Sequence, residues 1–199
     1  MLRDEKGGLM HTGEFWDPGT REHTSGKGPG DRAYSAVPVD LDDDGDLDLL
    51  IGTNKGRLFV RENLGSAKEP KFATTLSRPA KAGKTPWFSD GYAMPVVVDW
   101  DGDGLFDLVS GGKRGGVSWL RNVGKAGAPV FETERAILEP RDTKDEGVGE
   151  RTQIEVADID ADGDLDLLVG DYRLTESGDE RTWHGQVWLF RRKGGSVQD

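Results

Sequence analysis

Apolar residues in this chain come in short runs, and the runs recur in one order three times. The first kind is β-branched: Val37-Pro38-Val39, Val96-Val97-Val98 and Ile154-Glu155-Val156. The second is compact and ends in glycine: Leu47 to Gly52, Phe106 to Gly111, Leu165 to Gly170. A glycine-containing turn precedes a third run: Arg57 to Val60, Val117 to Leu120, Gln186 to Phe190. Short β-branched or aromatic runs separated by Gly, Asn and Asp predict strands joined as hairpins. No stretch sustains apolar spacing at i, i+3, i+4, i+7, so little helix is expected. A fourth strand is expected around Phe72 and Phe131 in the first two repeats.

Between the first and second runs stands an acidic loop: Asp40 to Asp48, Asp99 to Asp107 and Asp158 to Asp166. The first aspartates are 59 residues apart in both intervals. From 40 to 72 the first repeat aligns on the second without a gap: Gly52 on Gly111, Asn63 on Asn122, Gly65 on Gly124, Pro70 on Pro129, Phe72 on Phe131. Periodicity of this kind marks solenoids, propellers or arrays. Four antiparallel strands per unit make a propeller blade, whose two apolar faces are buried only by stacking on neighbours. The expected fold is therefore all-β, with three propeller-type blades of four antiparallel strands.

Each loop carries carboxylates at positions 1, 3, 5 and 9 and glycine at 6. Oxygen ligands in a flexible loop suit Ca2+, which takes six to eight of them; Mg2+ demands tighter octahedral geometry and keeps its waters. Glycine at 6 permits the sharp turn that brings positions 7 and 9 back toward an ion. Position 7 is Asp46, Leu105 and Asp164, a variation that fits a backbone carbonyl ligand. Two alternatives fit the loops less well. An EF-hand needs Glu at position 12 and flanking helices, whereas position 12 here is Ile51, Ser110 and Val169. Plain acidic turns chosen for turn propensity would leave several carboxylates repelling one another in each loop.

The pattern Asp-x-Asp-x-Asp-Gly-x-x-Asp-Leu, entered from Val-x-Val-Asp and followed by an apolar strand and glycine, resembles the FG-GAP or VCBS repeat, the calcium-binding blade of integrin α-chain-like propellers and of many bacterial secreted proteins. The resemblance covers residues 34–194 and implies about three Ca2+ ions, one per repeat. The implied ligands are Asp40, Asp42, Asp44, the Asp46 carbonyl and Asp48; then Asp99, Asp101, Asp103, the Leu105 carbonyl and Asp107; then Asp158, Asp160, Asp162, the Asp164 carbonyl and Asp166. It also implies an extracellular, periplasmic or cell-surface setting. Blades are expected at about 34–85, 86–146 and 147–194. A loop-rich segment, 1–33, precedes them, with Phe15 and Trp16 candidates for an outer strand, and a frayed tail follows at 195–199. Propellers close with four to eight blades, so three leave a fragment of a longer propeller, an assembly of chains, or a ring completed by residues 1–33. The fragment is the favoured reading.

Composition narrows the functions. Net charge is −11, and 15 of the 37 acidic residues sit in the three loops, so bound cations would neutralise much of it. With no basic stripe, nucleic acid is an unsuitable partner. The absence of cysteine removes disulfides and thiolate metal sites. No apolar segment is long enough for a helical membrane span, and Met1 to Lys6 leads into no signal-peptide core. His11, His23 and His184 have no local partner motif, and no nucleophile-elbow or phosphate-cradling signature appears. A non-enzymatic recognition or scaffolding module is expected, with a protein or glycan ligand and, as partners, further blades or further copies. The alternative is a lectin or polysaccharide lyase, with a site at Trp87, Tyr92 or the insertion running from Asp171 to Gly185. Trp119 and Trp188 are expected in the core, Trp100 beneath its loop, and Trp87, Phe88 and Tyr92 as a loop anchor.

Overall fold

The computed structural model describes residue 6, residues 14–17, 22–25, 32–82, 87–140, 148–177 and 180–193. All regular structure among them is β. The strands are β1 (Glu14–Asp17), β2 (Glu22–Ser25), β3 (Ala33–Val39), β4 (Asp48–Thr53), β5 (Leu58–Arg61), β6 (Ala80–Lys81), β7 (Met94–Val98), β8 (Asp107–Gly111), β9 (Val117–Leu120), β10 (Val130–Phe131), β11 (Arg135–Leu138), β12 (Glu150–Ala157), β13 (Asp166–Ser177) and β14 (Glu180–Phe190).

Three antiparallel sheets repeat one plan, in the orders β3-β4-β5, β7-β8-β9-β11 and β12-β13-β14. Among the described residues the ring is not closed, and only the second blade has all four strands; its fourth is β11, paired with β9, rather than the segment around Phe131. Phe131 instead lies in β10, which pairs in parallel with β6 and so links the first blade to the second. In the first blade Phe72 makes an isolated bridge to Asn63, and Ser77 bridges Val60 where a fourth strand would run. β1 and β2 pair with each other as a separate hairpin. Pro38 and Pro95, which lack an N–H, sit in β3 and β7 at sheet edges, the place where proline does least harm.

Why β8 is buried throughout follows from its position. Successive strand residues face opposite ways, and both sides of the second blade are covered. Leu108 enters a core with Leu50, Leu58, Phe88, Leu120 and Phe131 between the first and second blades. Val109 enters another with Val117, Trp119, Ile154, Leu167 and Val169 between the second and third. Trp119 and Trp100 are core residues, and Trp188 packs against that core. Phe88 is the buried anchor of its loop, whereas Trp87 is half exposed.

The blades are also hydrogen-bonded to one another. Ala93 N–H donates to the Thr53 carbonyl and Tyr92 N–H to that of Asn54. One repeat later, Thr152 N–H donates to the Gly112 carbonyl and Arg151 N–H to that of Lys113. Tyr92 and Arg151 adopt left-handed φ values of 47° and 51° to make these seams. Gly52 and Gly111 let the backbones meet: a Cβ at either would overlap the carbonyl oxygen of Ala93 or Thr152.

Candidate metal centres

Each acidic loop joins the first two strands of its blade, and its shape is set by backbone N–H groups donating to its own carboxylates. The position-1 aspartate caps the turn. Asp40 accepts from the N–H of Asp44 at 3.2 Å and of Gly45 at 3.0 Å. Asp99 accepts from Asp103 at 3.1 Å and Gly104 at 2.9 Å. Asp158 accepts from Asp162 at 3.1 Å and Gly163 at 3.0 Å. The position-5 carboxylates Asp44, Asp103 and Asp162 accept from the N–H of residue 7 at 2.9 Å in every loop. The position-6 glycines Gly45, Gly104 and Gly163 have φ of 90°, 88° and 94°. Position 4 is left-handed as well, in Asp43, Gly102 and Ala161, a requirement that sequence reading missed. Its signal was there: only small or Asx-type residues occupy that place.

Position 9 does a different job. Asp48, Asp107 and Asp166 are 3%, 0% and 1% exposed. One oxygen of each accepts the N–H of position 2, in Leu41, Trp100 and Ile159. The other accepts an N–H from just beyond the third strand: Asn63 at 2.8 Å, Asn122 at 2.7 Å and Arg192 at 2.9 Å. Burial pushes the Asp107 carboxyl up to about 6 and raises Asp48 too. Asp46 is raised by burial and by neighbouring Asp44.

The side chains converge. One oxygen each from Asp40, Asp42 and Asp44 lie within 4.8 Å of one another, as do those of Asp158, Asp160 and Asp162. In the second loop the converging set is Asp99, Asp101 and Asp107. Asp103 is drawn aside there: Arg121 Nη2 lies 3.5 Å from it and Arg121 Nε 2.6 Å from Asp101. The oxygen-only donor set, clustered and held by backbone N–H groups, fits a hard divalent cation. In each loop the position-1 and position-3 carboxylates would hold such an ion, joined by position 5 in the first and third loops and by position 9 in the second.

Residues 99–169, from the second loop through the apolar run of β13, match the family model for an FG-GAP-like repeat. That segment is an FG-GAP-like repeat. The first loop lies outside the matched residues but repeats the bonding of the other two. No curated protein and no solved structure matches the chain.

The register also exposes a difference between the repeats that sequence alignment had passed over. Leu49 pairs with Arg61, Leu108 with Leu120 and Leu167 with Phe190. The next residue is therefore Glu62, Arg121 and Arg191 in turn. Arg121 reaches into the second loop, and Arg191 Nη1 lies 3.4 Å from Asp160 in the third. The first repeat places an acid where the others place a base.

Proposed function

We propose that the chain is a calcium-binding β-propeller repeat module for extracellular recognition or scaffolding, without catalytic activity of its own. The supporting observation is the convergence of three carboxylates in each of three identically bonded loops. Each loop ties the first two strands of a blade, and like charges this close repel one another, so a bound cation would favour the folded form. At a cation concentration about a hundred times the dissociation constant, one site adds about 2.7 kcal/mol. For a chain of this size that is a rise of about 5–10 °C in melting temperature. Calorimetry with excess calcium and then with excess chelator is expected to show at least that difference, with Mg2+ restoring less of it. Identical melting in both conditions would overturn the reading.

A second reading, a carbohydrate-binding or carbohydrate-active propeller, is favoured by one juxtaposition. The fold brings Tyr92 of the sequence-level candidates to the Asp171–Gly185 insertion and leaves Trp87 elsewhere. The insertion is an extension of the β13–β14 hairpin. Tyr34 and Tyr92 stack with ring centres 4.6 Å apart. Arg151 lies over both Tyr92 and Tyr172, and Tyr172 meets Trp183, which is 62% exposed. Aromatic faces beside a guanidinium suit a pyranose bearing a carboxylate. A glycan array and a uronate-release assay separate lectin from lyase; silence in both removes this reading and leaves the first standing.

A further inference from the structure

One residue is bonded to two acidic loops at once. Arg192 follows β14, at the place that Asn63 and Asn122 hold in the first two repeats. Each of the three donates its backbone N–H to the buried position-9 carboxylate of its own loop. The two asparagines use their side chains within their own repeats. Asn63 Oδ1 accepts the N–H groups of Gly65 and Lys71, and Asn122 Oδ1 those of Gly124 and Val130. An arginine has no acceptor to offer such a turn. Its side chain reaches the preceding blade instead. Arg192 Nη1 donates to the Trp100 carbonyl at 2.8 Å, across 92 residues of chain. The guanidinium carbon stands 5.0 Å from the centre of the Trp100 ring.

Trp100 is position 2 of the second loop, and its N–H donates to Asp107 at 3.1 Å. The bonds therefore run without a break from one loop to the next. Asp107 accepts from Trp100, and Trp100 accepts from the Arg192 side chain. The Arg192 backbone donates to Asp166, which also accepts from Ile159 at position 2 of the third loop. Both carboxylates at the ends of this path are fully buried. Trp100 is buried too, in the core shared by the second and third blades. A charge-assisted hydrogen bond and a cation–π contact give the half-buried guanidinium one preferred seat, which it can still leave. Such an element, seated or unseated, is what two sites need in order to influence each other.

We propose that Arg192 couples the second and third loops, so that an ion held by the third raises the affinity of the second. The proposal rests on the calcium reading of the loops given above. An ion in the third loop orders the turn that Asp166 closes, and with it the backbone at Arg192. The guanidinium is then held on Trp100, and the entry to the second loop is fixed in the shape it needs to take an ion. The ordering is done once for both sites, which makes the coupling positive. By linkage the second loop raises the affinity of the third by the same factor. Repulsion between the two bound ions acts against this sign, and salt screens it.

Calorimetric titration with calcium at an ionic strength of about 0.15 M tests this. Asp40→Asn with Asp42→Ala disables the first loop in every protein used and leaves two sites. Asparagine at position 1 still offers an oxygen to the capping N–H groups. Asp99→Asn with Asp101→Ala, or Asp158→Asn with Asp160→Ala, then leaves one site. The product of the two association constants in the two-site protein is expected to exceed the product of the single-site constants by at least about fivefold. Arg192→Gln keeps the backbone bond to Asp166 and removes the reach to Trp100. Arg192→Met keeps the apolar stem against Trp100 and removes only the donor and the charge. In either variant, with circular dichroism unchanged, the excess should fall to about twofold or less. A two-site product within about twofold of the single-site product, a product smaller than it, or an excess that survives both substitutions would overturn the proposal and leave calcium binding standing. No calcium uptake by any of these proteins would overturn it together with the reading it rests on.

Discussion

Arg121 is the residue whose removal is most informative. It sits beside Asp101 and Asp103 in the second loop, where its charge competes with any cation. Its removal lowers the electrostatic cost of admitting a metal ion but strips the empty loop of a counter-charge. Arg121→Gln is therefore expected to tighten cation binding at that loop several-fold, up to about tenfold, while lowering the melting temperature in chelator. The second loop reports on itself, because Trp100 occupies a place held by Leu41 and Ile159 in the others. Terbium luminescence excited through tryptophan follows that site. Weaker binding, or no change, would count against the counter-charge role. None of this was legible in the acidic motif, which looks alike in all three copies. The distinguishing residue stands outside the motif, one position beyond the third strand, and only the pairing register of that strand brings it to the loop.

At the level of elements, the strands and loops were readable because their signals are local. Short β-branched runs, terminal glycines and the aspartate spacing each act within a few residues. The fourth strand was misplaced for a reason of the opposite kind. Phe131 has the look of a strand centre, but it is held by packing in the inter-blade core and by β6 of the preceding repeat. The strand that completes the second sheet is Arg135–Leu138, whose pairing with β9 is broken by a register shift. The turn before it depends on Asn122, fully buried, whose side-chain oxygen accepts from the N–H of Gly124 at 2.9 Å and of Val130 at 3.0 Å. Asn63 does the same for Gly65 and Lys71. Asn122→Ala takes the partner from two half-buried donors and is expected to cost about 1–3 kcal/mol. Urea unfolding in saturating calcium checks this, and a loss under about 0.5 kcal/mol would mean that the turn is held by something else.

Across the whole molecule, the seams and the two cores make neighbouring blades depend on one another, as in any array whose units cannot bury their faces alone. The repeat itself was evident from residue spacing, but the seams were not. They are backbone contacts, and the glycines that permit them look the same whether a neighbour is present, as at Gly52 and Gly111, or absent among the described residues, as at Gly170. One contact reaches further still. Gly127, in the outer turn of the second repeat, lies so close to the first loop that a Cβ there would come within 2.6 Å of the Asp42 carbonyl oxygen. The first of the three acidic loops thus touches a turn encoded more than a full period downstream. During synthesis it goes without that contact until the second unit has emerged and packed against the first.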